Sequence, residues 1–238
     1  MGVNASRAAT DRWPRPDLVV ATIALALAFA LALVVNALGN TPSNQTLPSA
    51  LGYLVFWLPL LAAAVLIRSR GWNGPRPVRW RLKLIDLLWG IGVGLLLRMA
   101  ASIAELAMRN TVIAPSFLLP AGVNGVDLAT LAFVSLVAPL LIAPLVEELF
   151  FRGTLLGSFV PPGGKPTGAI LAVVMSSLLF ALPHAIASAT ISDGASRFIA
   201  AGILGLGAGA LTVATGRIGA AIVAHITFNA ALFLLLLG

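Results

Sequence analysis

The chain has 238 residues, of which 59% are apolar and only 10% charged, with a formal net charge of +7. Soluble domains carry about a quarter charged residues, so this balance excludes an ordinary globular protein and leaves room for about seven bilayer spans of ~20 residues. The absence of cysteine excludes disulfides, thiolate metal sites and a cysteine nucleophile.

The excess positive charge has a better owner than nucleic acid, for which no soluble surface remains. Arg7, Arg12 and Arg15 form a basic tail, 1–17, before the first apolar run. That run is longer than the apolar core of a cleaved signal peptide, so it reads as a retained span. Apolar runs follow at 18–38, 51–67, 84–104, 128–160, 168–188, 198–214 and 218–237. All are long enough for helices, and none alternates as barrel strands would. The expected fold class is therefore all-α, a polytopic helix bundle of about seven spans, or eight if the third divides. Residues 18–127 supply the N-terminal helices, and 128–238 supply the helices with chemistry.

Arg68, Arg70, Arg76, Arg79, Arg81 and Lys83 crowd the connection between the second and third runs, whereas 39–50 carries no charge. Positive-inside asymmetry then places the N-terminus, Lys165 and Arg217 in the cytoplasm of a plasma-membrane protein. Arg109 and Arg197 fall on the opposite loops. Arg98 and Glu105 interrupt the third run, so residues 98–110 either span, lie along the interface or turn inward. Pro, Gly, Asn and Ser mark turns at 40–49, 71–77 and 161–166. In the sixth run Gly202, Gly205, Gly207 and Gly209 suit close helix packing.

Ionisable groups inside spans cost about 2.5–3.5 kcal/mol each and point to function. Two of the three glutamates, Glu147 and Glu148, are adjacent in the fourth run. Neighbours on a helix diverge by about 100°, so they cannot share one role. Arg152, four residues after Glu148, suits a carboxylate–guanidinium pair. Glu147 is left without a local counter-ion, and burial then disfavours its charged form, which suits a general acid or base. Both histidines lie in later spans. His184 follows Pro183, with Phe180 packing one turn earlier on the same face. His225 and Asn229 share a face of the last run and could both donate to one oxygen. A carboxylate, two imidazoles and a carboxamide distributed over three helices can build one site in a bundle core. Centring each run in the bilayer nevertheless puts Glu147 and His184 roughly 20 Å apart in depth.

Three elements carry a resemblance: Glu147-Glu148-Leu-Phe-Phe-Arg152, Phe180-Ala-Leu-Pro-His184 and His225-Ile-Thr-Phe-Asn229. Their order, with the approach TGRIGAAIVAH through Thr215 and Gly216, resembles the CAAX-protease and bacteriocin-processing family of intramembrane endopeptidases. The resemblance spans about residues 140–230 and implies a water-activating pair, Glu147 and His184. It also implies oxyanion stabilisation by His225 and Asn229, with Glu148 and Arg152 supporting the site. The Asn229 carboxamide is a poor zinc ligand but a good oxyanion donor, so no cofactor is expected. The implied partners are membrane lipids and a peptide or protein substrate with a membrane-proximal cleavage site. Two alternatives stay open on the residues. Glu147, His184 and His225 would also make a His2Glu zinc set. The buried charges could instead line the path of a transporter or serve a non-catalytic chaperone. A transporter should show matching halves, whereas the polar residues cluster in one.

Overall fold

A computed structural model describes residues 16–39, 46–71, 78–109, 132–160, 166–186, 188 and 190–237. Among these the regular structure is helical throughout, in seven elements: α1 Pro16–Gly39, α2 Thr46–Ser69, α3 Leu84–Arg109, α4 at 133–159, α5 Pro166–Ile186, α6 Ile191–Thr215 and α7 Gly219–Leu237. Five of them, α1, α2, α3, α5 and α6, are long and apolar enough to cross a membrane. The seventh has 19 residues, about 28 Å of helix. The protein is a polytopic helix bundle, integral to the membrane through several passes. The expected turns at 40–49, 71–77 and 161–166 lie largely outside the described residues.

Exposure runs opposite to that of a soluble domain. Leu88, Leu95, Leu96, Met99 and Ile103 of α3 face outward, where lipid rather than water would meet them. The same helix buries Asp86, Gly90, Gly94, Arg98, Ala101 and Glu105, a stripe at helical spacing that turns its polar and small residues inward. A methyl group at Gly94 would meet Ala224 and Thr227 of α7, so the α3–α7 contact depends on the missing side chain. In α6, Gly205, Gly207 and Gly209 allow similar approaches to Ser177, Leu97 and Val173, but Gly202 meets nothing.

The questioned stretch of α3 neither divides nor re-enters: one helix continues to Arg109. It stays inside because Arg98 and Glu105 pair with each other at 2.8 Å, both side chains nearly fully buried. The sixth helix starts at Ile191 rather than at 198. Its polar first turns read as a loop, yet the Thr190 hydroxyl accepts the Asp193 N–H, an N-cap that lets the helix begin early. Arg197 is therefore helical.

One end of the bundle gathers the basic residues. Arg217 grips Asp86 through three hydrogen bonds of 2.6–3.0 Å. Arg79 exchanges backbone hydrogen bonds with Gly216 and Ile218, and Arg68 lies over Trp80 at 4.7 Å. The α2–α3 connection is thus stitched to the α6–α7 turn. Arg109 and Asp193 pair at the far end.

α4 is not a uniform α-helix. Wide turns with i→i+5 bonding cover Phe133–Ile142 and Phe151–Leu155, and α-helical turns cover Ala143–Phe150 and Leu156–Phe159. Pro139 inside the first region and Pro144 just after it remove two backbone donors. In the second, Ser176 of α5 donates to the Phe151 carbonyl at 3.0 Å and Thr154 reaches back to Leu149 at 3.2 Å. Wide turns of this kind frequently mark functional positions.

Candidate active site

The α-helical turns of α4 between the two wide regions carry Glu147 and Glu148 inward, 7% and 0% exposed. Glu148 Oε1 lies 3.1 Å from Arg152 Nη1, with both side chains fully buried. The i,i+4 pair read from the sequence is formed. Arg152 also donates to the Gly205 carbonyl of α6 at 3.2 Å and lies 4.3 Å over the Phe180 ring. Its contact with Glu148 lacks hydrogen-bond alignment. Arg152 Nε and Nη1 and Glu148 Oε2 consequently have no hydrogen-bond partner among the described residues.

His225 enters from α7. Its Nδ1 lies 3.0 Å from Glu148 Oε1, and its Nε2 is 3.9 Å from Glu147 Oε2. The first contact is a hydrogen bond that fixes Nδ1–H as a donor; the second is too long to be one. Glu148 thus aims the free edge of the imidazole at Glu147. Two acids, one guanidinium and one imidazole form a continuous buried cluster.

Phe180 links this cluster to α5. Its ring is edge-on to His225 at 5.6 Å and tilted against His184 at 5.0 Å. His184 Nδ1 is 3.0 Å from the Phe180 carbonyl, and because a carbonyl only accepts, Nδ1 carries the proton and Nε2 is left as an acceptor. The depth arithmetic fails here. Phe151 packs edge-on to Phe180 at 5.3 Å, and α4 and α5 run in opposite directions. Glu147, one turn before Phe151, and His184, one turn after Phe180, thereby lie to the same side of that ring contact. Centring each run assumed that apolar length fixes depth, whereas the Ser176–Phe151 hydrogen bond sets the register of α5 on α4.

Asn229 lies one turn beyond His225, half-buried, and donates to the Pro139 carbonyl at 2.9 Å. It touches the wide turn of α4 rather than the carboxylates, and its second N–H remains to be used. Thus Glu147, Glu148, Arg152, Phe180, His184 and His225 come together, with Asn229 anchored at the margin.

Sequence reasoning missed Trp57. This buried α2 residue, 6% exposed, hydrogen-bonds to Glu147 and stacks on Tyr53, ring centroids 4.8 Å apart. A tryptophan in an apolar run reads as packing, and only its indole N–H hinted at a polar partner. Among the described residues no three of His, Asp or Glu gather as a metal-ligand set. A cavity of about 590 Å³ opens at the α5–α6 turn against Ala185, Ser188, Gly194 and Phe198. It begins one residue past His184, but the clustered side chains do not line it.

Comparison with known proteins finds one family. Residues 129–231 match the family described as type II CAAX prenyl endopeptidase Rce1-like. No curated protein and no solved structure matches the chain. All seven residues of the three motifs lie inside the matched segment. Residues 129–231 are thus similar to the family of membrane proteases that those motifs resemble.

Proposed function

We propose that the protein is an intramembrane endopeptidase that hydrolyses peptide bonds of membrane-proximal substrates by metal-free water activation. The observation that carries this reading is the meeting of Glu147, Glu148, Arg152, His184 and His225 around Phe180 inside an apolar bundle. Buried ionisable groups in three separate contacts need a reason beyond packing.

In the reaction Glu147 takes a proton from water as the water oxygen attacks the scissile carbonyl carbon. His184, with Nε2 free to accept, helps hold that water. The carbonyl oxygen becomes an oxyanion, which the spare N–H of Asn229 stabilises, joined by His225 when its Nε2 also carries a proton. Collapse expels the amine, and Glu147 returns the proton to it. Glu148 and Arg152 act through His225, which Glu148 orients.

The experiment is hydrolysis of a fluorescent prenylated CAAX peptide by the purified protein in mixed micelles, before and after a strong chelator. Cleavage should persist after chelation. If stoichiometric zinc proves necessary, the ligands become Glu147, His184 and His225. No cleavage of any membrane-proximal peptide would return the bundle to the transporter or chaperone reading.

The orientation belongs to the same proposal: the basic end, with Arg68, Arg79, Arg81, Lys83 and Arg217, faces the cytoplasm of a plasma membrane, with the N-terminus on that side. Single cysteines at 78–83 should label only after the membrane is made permeable. External labelling there would invert the topology.

A further inference from the structure

Five charged side chains meet where the far ends of α3 and α6 cross. Arg98, Glu105 and Arg109 come from α3, and Asp193 and Arg197 from α6. The two acids are already engaged: Glu105 holds Arg98 at 2.8 Å, and Asp193 holds Arg109. Arg197 is the remainder. It makes no hydrogen bond or ion pair with the described residues, although it is half-buried.

Its position follows from helix geometry. Asp193 and Arg197 are four apart on α6, and Glu105 and Arg109 are four apart on α3, so each pair shares a face. The helices are antiparallel and joined by Arg109–Asp193. Arg197 therefore faces Glu105 one turn deeper, and feels both Glu105 and Arg109 electrostatically. Its chain neighbour Phe198 lines one cavity with Ala185, the residue after His184, which places Arg197 on the α5 side of the reacting centre. Because Glu105 is committed to Arg98, the guanidinium of Arg197 keeps its donors.

We propose that Arg197 is a subsite for a carboxylate of the substrate, next to the scissile bond. This deepens the endopeptidase reading and rests on it. A guanidinium presents a planar fork that matches a carboxylate with two parallel hydrogen bonds. A peptide substrate offers that group in two ways, at its C-terminus or on an acidic side chain. Extended residues advance roughly 3.3–3.6 Å each. A C-terminus two or three residues beyond the cleaved bond would therefore reach a cation near His184. The anion would complete a cluster of three arginines and two acids, and neutralise the surplus charge only while substrate is bound. Arg197 then contributes to which peptide is held, and the cleavage chemistry stays with the carboxylates and imidazoles of α4, α5 and α7.

The test is binding, so that it succeeds or fails apart from turnover. Three fluorescent prenylated peptides are titrated by anisotropy into the protein in micelles. The first lacks Asp and Glu and ends in a free carboxylate. The second is its C-terminal carboxamide, and the third is that carboxamide with one Glu near the end. Wild-type protein should prefer the free acid to the carboxamide by about tenfold or more, the worth of a charge-assisted hydrogen bond. Arg197→Gln should erase that preference by weakening the acid alone, and Arg197→Lys should restore part of it. An unchanged affinity for the carboxamide shows that the variant is folded. Tight binding of the third peptide, lost in Arg197→Gln, assigns the subsite to an acidic side chain instead of the C-terminus. Equal binding of all three peptides to the wild type overturns the proposal even if every variant misfolds. So does an Arg197→Gln variant that weakens acid and carboxamide alike.

Discussion

Glu147→Gln should lower peptide-bond hydrolysis by about 10²–10⁴, the usual worth of a positioned general base, while the bundle remains folded. Glutamine keeps the length and shape of the side chain and can still accept from Trp57. It cannot take a proton from water. The contact with His225 Nε2 at 3.9 Å is too long for its loss to unfold the protein. Glu148 and Arg152 are untouched by the change, so the buried ion pair persists. Single-turnover hydrolysis in micelles measures the effect, with thermal unfolding of the same preparation as the control. Activity within tenfold of wild type, in a folded variant, would remove Glu147 from the base role.

A different failure is expected of Arg152→Ala: most of the folded protein should be lost. Arg152 is fully buried and holds three partners from three helices. These are the Glu148 carboxylate at 3.1 Å, the Gly205 carbonyl at 3.2 Å and the Phe180 ring at 4.3 Å. Removing one member of a buried pair costs about 3–5 kcal/mol, because the other charge is left unmatched. That is a large share of the roughly 5–15 kcal/mol by which most proteins are stable. Since both groups act in one contact, Glu148→Gln combined with Arg152→Ala should be less damaging than the sum of the two. Denaturant titration in detergent reads this out. A singly substituted Arg152→Ala protein with wild-type stability would show that the pair is dispensable.

The site was legible in the sequence where chemistry and environment conflict. Charges and imidazoles in apolar runs are costly enough to stand out, which is why Glu147, Glu148, Arg152, His184, His225 and Asn229 could be picked from one chain. The helical bundle was legible for the same reason, through runs too long and too apolar for a soluble core. What stayed hidden depends on contacts between distant segments. The partner of Glu147 on α2, Trp57, belongs to a residue type at home in apolar surroundings, so no conflict advertises it. The relative depth of α4 and α5 is set by one serine hydroxyl and one carbonyl, and run lengths carry no trace of that. The early start of α6 follows from a threonine cap placed before residues that look like a loop. The inward turn of Arg98 is decided by Glu105, seven residues away along the same helix.

The two wide regions of α4 have a consequence for how its sequence is to be read. A wide turn accommodates an extra residue, and each residue of an α-helix otherwise advances the angle by about 100°. The segment Ala143–Phe150 is therefore out of phase with the helix on both sides. A single helical wheel drawn through 133–159 would assign wrong faces to everything beyond either boundary. Insertions or deletions of one residue inside 133–142 or 151–155 act as rotations of the carboxylate-bearing turn relative to its neighbours, even though no motif residue is replaced. Relatives that differ in length at those points should be aligned on the glutamates, with the gap placed in the wide turn rather than in a loop.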